Sequence, residues 1–322
     1  MAALNQPHFQ DPNKAREYLE ALRWPNGPIC PHCGVVGEHY TIRGGRPGLW
    51  KCKDCREQFT VTVKTVFERS KIALNVWLQA VYLLCSSKKG MSSHQLHRTL
   101  GITYKTAWFM THRIREAFKT SPNGPLGGSG KIVEADETYF GTESGQSKKK
   151  HGKTGGAAHN EMNKIVALVE RGGKVRGFHV ADVHSANLKA ILTEQIHADS
   201  HLMTDSSPRY NLLKREQPFA AYDQVNHSRK EYVRGKAHTN TVEGYFSILK
   251  RGLVGTYHHV ASPHLHRYVA EFDFRYNNRE LIKHKAGYKK RVGGFNDKER
   301  ADIALKQIAG KRLTYRRTDA TA

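Results

Sequence analysis

The sequence predicts an α/β protein in which a strand-rich domain with accompanying helices follows two smaller N-terminal modules. Two Cys-x-x-Cys pairs before residue 60 indicate a small module built around a metal ion. Apolar residues then recur at helical spacing as far as residue 118, and from residue 131 they alternate with polar residues as in strands. At 322 residues the chain is long enough for two or three domains.

The composition excludes several kinds of protein and indicates the kind of partner that this chain binds. A net charge of +23, from 52 Lys and Arg against 29 Asp and Glu, indicates a polyanionic partner. With 38% hydrophobic residues, the chain is neither generally disordered nor collagen-like. No apolar run approaches the roughly 20 residues of a membrane span, so we expect no membrane partner. The first residues lack the pattern of a secretory signal, and we expect a cytoplasmic protein.

The cysteine spacing is typical of a four-cysteine zinc site, because 18 residues separate the two pairs. Four thiolates complete a tetrahedron and leave no position for water, so a bound Zn²⁺ would be structural. Short strands predicted over residues 39–43, 48–52 and 58–62 make the module a zinc ribbon. The alternative is a set of unligated or redox-active cysteines. The predicted zinc ligands are Cys30, Cys33, Cys52 and Cys55.

A helical segment with a DNA-reading pattern follows the ribbon. One helix is predicted from Asn75 to Cys85, and a second begins near Ser92 and ends at Gly101, where a turn leads into a third helix. This is the pattern of a helix-turn-helix, whose second helix lies in the major groove. The alternative is a plain helical hairpin. The side chains predicted to contact DNA here are Thr103, Tyr104, Lys105, Thr106 and either His112 or Arg113.

Domain boundaries follow from breaker-rich sequence. Residues 121–130 contain repeated Gly and Pro and separate the helical segment from the strand-rich domain. We expect a zinc ribbon over residues 1–64, a helix-turn-helix domain over 65–122, a catalytic domain over 131–282 and a basic C-terminal extension over 283–322.

Two acidic residues lie on a predicted strand of the third domain or at the end of one. Residues 131–140 alternate as a strand, which predicts Asp136 on the solvent side, opposite Val133 and Ala135. Strands at 164–170 and 175–180 complete a three-stranded meander, and a strand at 201–204 delivers Asp205 at its end. A helix from Thr239 carries a further acidic residue, Glu243, and seven positions later Lys250, on one face.

Phosphodiester chemistry explains why three carboxylates would gather. Two Mg²⁺ ions about 4 Å apart can activate an attacking oxygen and stabilise the leaving oxygen, and Mg²⁺ takes oxygen ligands. We expect Asp136 to bridge both ions, with Asp205 and Glu243 each holding one. Lys250 would contact the DNA backbone or the charge of the transition state. The alternative is that these are ordinary surface carboxylates.

Five segments of the sequence carry a resemblance to a known family. They are similar to the catalytic blocks and flanking motifs of bacterial DDE transposases of insertion sequence family 1595, the ISXO type. The resemblance implies an RNase H-like core, a mixed sheet flanked by helices, that uses Mg²⁺ or Mn²⁺. It also implies cleavage of terminal inverted repeats and strand transfer into target DNA, in a nucleoid-associated protein. The segments are residues 133–139, 203–207, 238–252, 255–260 and 274–279.

The third metal-binding position has two candidates. Members of that family have either Asn or Glu there, and this sequence offers Asn240 and Glu243. Residues three apart on a helix share a face, so either could bind the second ion while the other orients it. We favour Glu243 for its charge.

Further DNA contacts are expected from a basic loop, at Lys148, Lys149 and Lys150. Because two DNA ends must be brought together, we expect a homodimer or higher oligomer on double-stranded DNA. Two alternatives to a transposase are a zinc-dependent DNA-binding transcriptional regulator and a nuclease without joining activity.

Overall fold

The structure is a computed structural model that describes residues 3–120, 123–142, 162–229, 231–285 and 288–313. The chain divides into two compact units, one formed by Met1–Thr120 with Asn278–Ala322 and the other by Ser121–Asn277. None of the helices within the described ranges is long and apolar enough to cross a membrane.

The first unit begins with two helices and a small sheet. Helices α1 (Pro7–Gln10) and α2 (Pro12–Arg23) precede strands β1 (His39–Thr41), β2 (Trp50–Cys52) and β3 (Gln58–Phe59). The three strands form an antiparallel sheet in the order β1-β2-β3. The strands lie within the predicted ranges and are shorter than predicted. Turns and bends occupy the chain between β1 and β2 and after β3.

Three helices follow, α3 (Leu74–Ser86), α4 (Ser93–Leu100) and α5 (Tyr104–Phe118). Helix α4 is capped by the Ser92 side chain, which accepts a hydrogen bond from the Gln95 backbone. It ends at Gly101, whose φ of 64° is the left-handed conformation that glycine adopts without strain. The Thr103 side chain then caps α5. Two helices joined by a short turn result, as a helix-turn-helix requires.

The second unit is built on a mixed five-stranded sheet, as predicted for an RNase H-like core. The strand order is β6-β5-β4-β7-β8, antiparallel from β6 to β4 and parallel from β4 to β8. Helices on both faces complete the unit. The strands are β4 (Ile132–Thr142), β5 (Met162–Glu170), β6 (Val175–Val180), β7 (His201–Asp205) and β8 (Ala221–Val225), and the helices are α6 (Ser185–Gln195), α7 (Asn211–Glu216), α8 (Asn240–Gly252) and α9 (Ser262–Asn277).

Each face of this sheet has its own core. Val133 and Ala135 of β4 pack with residues of α6 and α7, including Leu188 and Leu192. The opposite face packs against α8 and α9 through residues such as Val242. Because side chains alternate along a strand, the even-numbered residues from 132 to 136 of β4 point towards α8 and α9.

The chain then returns to the first unit. Strands β9 (Leu281–Lys285) and β10 (Tyr288–Gly293) form an antiparallel hairpin, and helix α10 (Asp297–Lys306) follows. Helix α10 packs against α2 and α3, and Arg300 Nη1 donates to the Cys85 carbonyl at 2.6 Å. The region expected as a separate basic extension, 283–322, thus contains a helix that belongs to the core of the N-terminal unit.

Candidate active site and metal centre

The four cysteines of the ribbon bring their sulfur atoms together in one cluster. Cys30 Sγ lies 3.6 Å from Cys55 Sγ, Cys33 Sγ lies 3.7 Å from Cys52 Sγ, and all four sulfurs are within 4.8 Å of one another. A zinc ion with Zn–S bonds of about 2.3 Å sets its sulfurs roughly 3.8 Å apart, so these residues fit Zn²⁺. Cys30 and Cys52 are buried, which suits a structural ion.

Asp136 and Asp205 are brought together by the register of two parallel strands. Residues 132–134 of β4 pair with residues 201–203 of β7, and Glu134 is opposite Met203. Asp136 and Asp205 each lie two residues further along, so they occupy equivalent positions on neighbouring strands about 4.8 Å apart. Asp136 lies midway along β4 on the face covered by α8 and α9 and is mostly buried, not on the solvent side as its alternation pattern predicted.

Glu243 lies at the fourth position of α8, and its carboxylate is held by neighbouring side chains. The Thr239 hydroxyl donates to Glu243 Oε1 at 2.8 Å. His227 lies in a 3-10 turn after β8. Its Nε2 is 3.5 Å from Glu243 Oε1 and 3.1 Å from Thr239 Oγ1. The Glu243 side chain remains 45% exposed, so one oxygen is fixed while the carboxylate stays open to a ligand.

The charges of the three carboxylates influence their ionisation. Burial, together with the charges of Glu137, Asp205 and Glu243, raises the pKa of Asp136 to about 8. Burial also raises the pKa of Asp205, although its hydrogen bond from the Ser207 backbone and the nearby His227 oppose that rise. A group of carboxylates that disfavour each other's ionisation is stabilised by a bound cation.

The donor set fits divalent metal ions that prefer oxygen ligands. Among the residues that the structure describes, the cysteine cluster is the one group of three or more His, Cys, Asp or Glu side chains that converge on a single ion position. Among the described residues, no three carboxylates lie as close to one another as the four sulfurs do. A two-ion site needs carboxylates spread around two positions about 4 Å apart, and this arrangement is compatible with that requirement.

A neighbouring acidic residue, Glu137, was missed by sequence reasoning. It lies on the opposite face of β4 from Asp136, where Arg209 Nη1 and the Tyr210 hydroxyl donate to its two oxygens at 2.5 and 2.6 Å. Its side chain is only 5% exposed. The signal was present in the sequence, because consecutive residues of a strand face opposite ways and Glu137 had to find partners on the far side of the sheet.

Two other predicted site residues share the exposed side of α8. Asn240 is exposed at the first position of the helix, next to Thr239. Lys250 is exposed two turns after Glu243, roughly 10 Å further along the helix axis. Lys250 is therefore positioned along the approach to the carboxylates rather than among them.

The predicted DNA-reading residues divide into two groups. At the start of α5, Thr103, Tyr104 and Lys105 are exposed and Thr106 is partly so. The Tyr104 ring stacks on His94 of α4, with ring centroids 4.2 Å apart and planes inclined by 22°. Arg113, further along α5, is not exposed, and the DNA contact predicted for it is wrong.

Arg113 is buried within the first unit and is only 4% exposed. Its Nη2 donates to the Glu68 carbonyl at 2.7 Å, and its guanidinium lies 5.3 Å from the centroid of the Trp77 ring. Arg113 is therefore not positioned to contact DNA. Arg113 is the tenth residue of α5, and its side chain faces α3. The periodicity of the sequence alone did not predict this. The remaining predicted DNA contacts, Lys148, Lys149 and Lys150, lie outside the described residues.

The fold and these two sites define a protein with a structural zinc ribbon and an acidic site on an α/β core. Two family models match the chain: the transposase zinc-ribbon domain over residues 10–58 and the ISXO2-like transposase domain over residues 125–277. The resemblance found in the sequence is confirmed, since this chain carries both domains of the DDE transposases of insertion sequence family 1595.

One curated relative and one solved structure add to this comparison. The chain is 29% identical over 281 residues to an uncharacterized protein in the transposable element ISH50 of Halobacterium salinarum, covering 83% of this chain and 91% of that protein. A simian T-cell lymphotropic virus intasome, solved in complex with the PP2A regulatory subunit B56 gamma, matches 61% of this chain and 67% of its own. Its 15% identity and TM-score of 0.30 support no conclusion about this chain. The two domains and the curated relative support a transposase function.

Proposed function

We propose that this protein binds the terminal inverted repeats of an insertion sequence and catalyses Mg²⁺-dependent DNA cleavage and strand transfer. The observation that carries the proposal is that Asp136 and Asp205 occupy equivalent positions on neighbouring parallel strands, and that the charges of Asp205 and Glu243 both act on Asp136. Three carboxylates with this placement match the ligand set of a two-ion phosphodiester site. A transcriptional regulator, the alternative drawn from the sequence, would not need them.

The roles of the side chains follow from their positions. The charges of both Asp205 and Glu243 act on Asp136. Asp136 would therefore bridge both ions, while Asp205 and Glu243 would each hold one. Bound Mg²⁺ supplies activation of the attacking oxygen and neutralises charge on the leaving oxygen. Glu243 is the better third ligand than Asn240, because Thr239 and His227 already fix its carboxylate next to the site. Mn²⁺ would serve with the same oxygen ligands.

DNA contacts beyond the acidic site are expected from basic and exposed side chains. A cavity of about 290 Å³ opens in the second unit beside Arg209, and Lys164 and His184 also line it. Asp182 also lines this cavity, and the three basic side chains would suit a DNA phosphate on the Glu137 side of β4. In the first unit, the exposed start of α5 would enter the major groove, with Tyr104 and Lys105 nearest the DNA.

Strand transfer requires two element ends in one complex, so we propose that the active form is a dimer or higher oligomer assembled on DNA. The positive charge of the chain would favour that assembly, because each DNA end brings a dense row of phosphates. Size measurements with and without a duplex that carries the terminal repeat would test it. A single chain per two DNA ends would contradict this part of the proposal.

The function is tested with labelled duplexes that carry the terminal repeats of the element, incubated with target DNA and Mg²⁺. We expect the wild-type chain to nick the repeat at the element end and to join that end to target DNA. Asp136→Asn should bind the same duplex with unchanged affinity and lose both reactions. Cleavage without joining would support the nuclease alternative, and tight binding with neither reaction in the wild type would support the regulator.

A further inference from the structure

A buried ion pair lies behind the acidic site and contacts all three elements that carry it. The ion pair joins Glu134, two residues before Asp136 on β4, to Arg171 at the turn between β5 and β6. The Glu134 side chain is fully buried, and Arg171 Nε donates to its Oε1 at 2.5 Å. Glu134 shares its side of the strand with Asp136, because residues two apart on a strand face the same way.

The Glu134 carboxylate caps the helix that carries Glu243. Its Oε2 accepts hydrogen bonds from the backbone N–H groups of Thr241 and Val242 at 2.7 and 3.0 Å, and its Oε1 accepts from the Thr241 hydroxyl at 2.8 Å. These amides belong to the first turn of α8, where backbone donors have no partner within the helix. A carboxylate at that end also complements the helix dipole. Glu134 thereby fixes the first turn of α8, the turn that carries Glu243, against β4.

Arg171 extends this contact to the segment before α8 and to β7. Its Nη1 donates to the Lys236 carbonyl at 2.8 Å, and its Nη2 donates to the His238 carbonyl at 2.9 Å. The same Nη2 lies 2.9 Å from Met203 Sδ, two residues before Asp205. One guanidinium therefore contacts β4 through Glu134, β7 through Met203 and the entry to α8.

We propose that Glu134 and Arg171 are positioning residues, which set the distances among Asp136, Asp205 and Glu243 by tying the start of α8 to both strands. This inference rests on the proposed function for its catalytic meaning. The residues contact neither DNA nor metal in the proposal, and they act through the carboxylates that they align. An error of about 1 Å in such an alignment can cost on the order of 100-fold in rate.

A second buried ion pair in the same unit provides a matched control. Glu271 and Arg275 of α9 are paired at 2.5 Å and are almost fully buried, and the Tyr257 hydroxyl also donates to Glu271. Both residues of this pair lie on α9, and Tyr257 lies beyond the end of α8, fourteen residues after Glu243. Glu271→Gln should therefore destabilise the unit to a degree comparable with Glu134→Gln and leave the alignment of the carboxylates intact.

The test compares full-length wild-type protein, Glu134→Gln and Glu271→Gln below their unfolding temperatures. Hydrogen exchange of a peptide spanning residues 239–246 reports the capping contacts, and titration with Mn²⁺ without DNA reports the metal site. For Glu134→Gln we expect amide exchange at least about tenfold faster, weaker Mn²⁺ binding and cleavage slower by about 100-fold at equal DNA affinity. Glu271→Gln should remain within about twofold of the wild type in all three measurements.

Two results would overturn the positioning role: wild-type exchange and Mn²⁺ affinity in Glu134→Gln, or equal losses in Glu271→Gln. Arg171→Lys, which keeps the charge and loses the multiple contacts, should show an intermediate loss of Mn²⁺ affinity, and wild-type affinity would count against the inference. Asp136→Asn separates the two proposals. Full activity of Asp136→Asn would overturn the proposed function. If Asp136→Asn is inactive and Glu134→Gln behaves like the wild type, the positioning role alone is overturned.

Discussion

The Thr239 hydroxyl donates a 2.8 Å hydrogen bond to Glu243 Oε1 from the residue that precedes helix α8. This bond fixes one oxygen of the Glu243 carboxylate, whose charge acts on Asp136, while Asn240 lies exposed at the first helical position. The structural relationship supports Glu243 as the third metal ligand. It also leads to a prediction that separates the two candidates left open by the sequence.

We expect Glu243→Gln to reduce single-turnover cleavage by at least about 100-fold, because an amide replaces the charged ligand of a metal ion. Asn240→Ala should retain activity within about fivefold. Both rates are measured at saturating DNA and over a range of Mg²⁺ concentrations. The reverse order of effects would transfer the third position to Asn240.

Removal of zinc should unfold the ribbon. The module has a small sheet of three short strands, so the four thiolate–metal bonds contribute much of its stability. Cys33→Ser should abolish stoichiometric zinc binding and lower the unfolding temperature of the first unit. Cys85→Ala is the control, because Cys85 is buried in α3. Metal analysis should find one zinc ion in this control, and retention of that ion by Cys33→Ser would contradict the site.

Lys105 and Arg113 of helix α5 should respond differently to substitution. Lys105→Ala should weaken DNA binding and reduce the slope of log affinity against log salt by about 1, because it removes one phosphate contact. Arg113→Met should leave that slope unchanged and destabilise the fold by about 2 kcal/mol, because it removes the hydrogen bond to the partly buried Glu68 carbonyl. Fluorescence anisotropy across salt concentrations and urea unfolding measure the two effects. A reduced slope for Arg113→Met would restore it as a DNA contact.

Asp273 should make the second unit less stable as the pH rises. It accepts hydrogen bonds from the Tyr245 hydroxyl at 2.6 Å and the Gly177 backbone at 2.7 Å, and burial raises the pKa of Asp273 from its ordinary value of 3.8 to about 6. The folded chain therefore binds the proton more tightly than the unfolded chain. The stability contributed by this proton is fully present below about pH 4 and is lost as the pH rises through about 6.

Comparison with Asp273→Asn isolates that contribution. The free energy of unfolding of the wild type relative to the variant should be larger at pH 4 than at pH 7.5, since the amide does not titrate. Urea unfolding at both pH values measures the difference. An unchanged difference, or one that grows with pH, would contradict the assigned pKa.

The sequence was sufficient for the features that local patterns determine. Cysteine spacing predicted the zinc cluster, strand alternation placed Asp136 opposite Val133 and Ala135, and the Gly101 turn separated α4 from α5. Each of these depends on residues close together in the chain, or on side-chain chemistry that few structures satisfy. The strand that ends in Asp205 was likewise visible as a short apolar run before an acidic residue.

The long-range contacts could not be read from local patterns. Glu134 meets the amides of Thr241 and Val242 more than one hundred positions later in the chain, and no spacing rule links such residues. Arg113 looked like a basic residue on a DNA-reading helix, but tertiary packing turned it inward against Trp77. Burial of charge is decided by the whole fold, so the sequence could show these charges but not their partners.

The central claim, that Asp136, Asp205 and Glu243 hold the metal ions of one phosphodiester site, is tested most directly by changing a ligand atom. A thiolate is a poor ligand for Mg²⁺, whereas Mn²⁺ accepts softer ligands. We therefore predict that Asp205→Cys binds the terminal-repeat duplex normally, fails to cleave it in Mg²⁺ and regains part of the cleavage rate in Mn²⁺. Cleavage by Asp205→Cys at the wild-type rate in Mg²⁺ would contradict the claim.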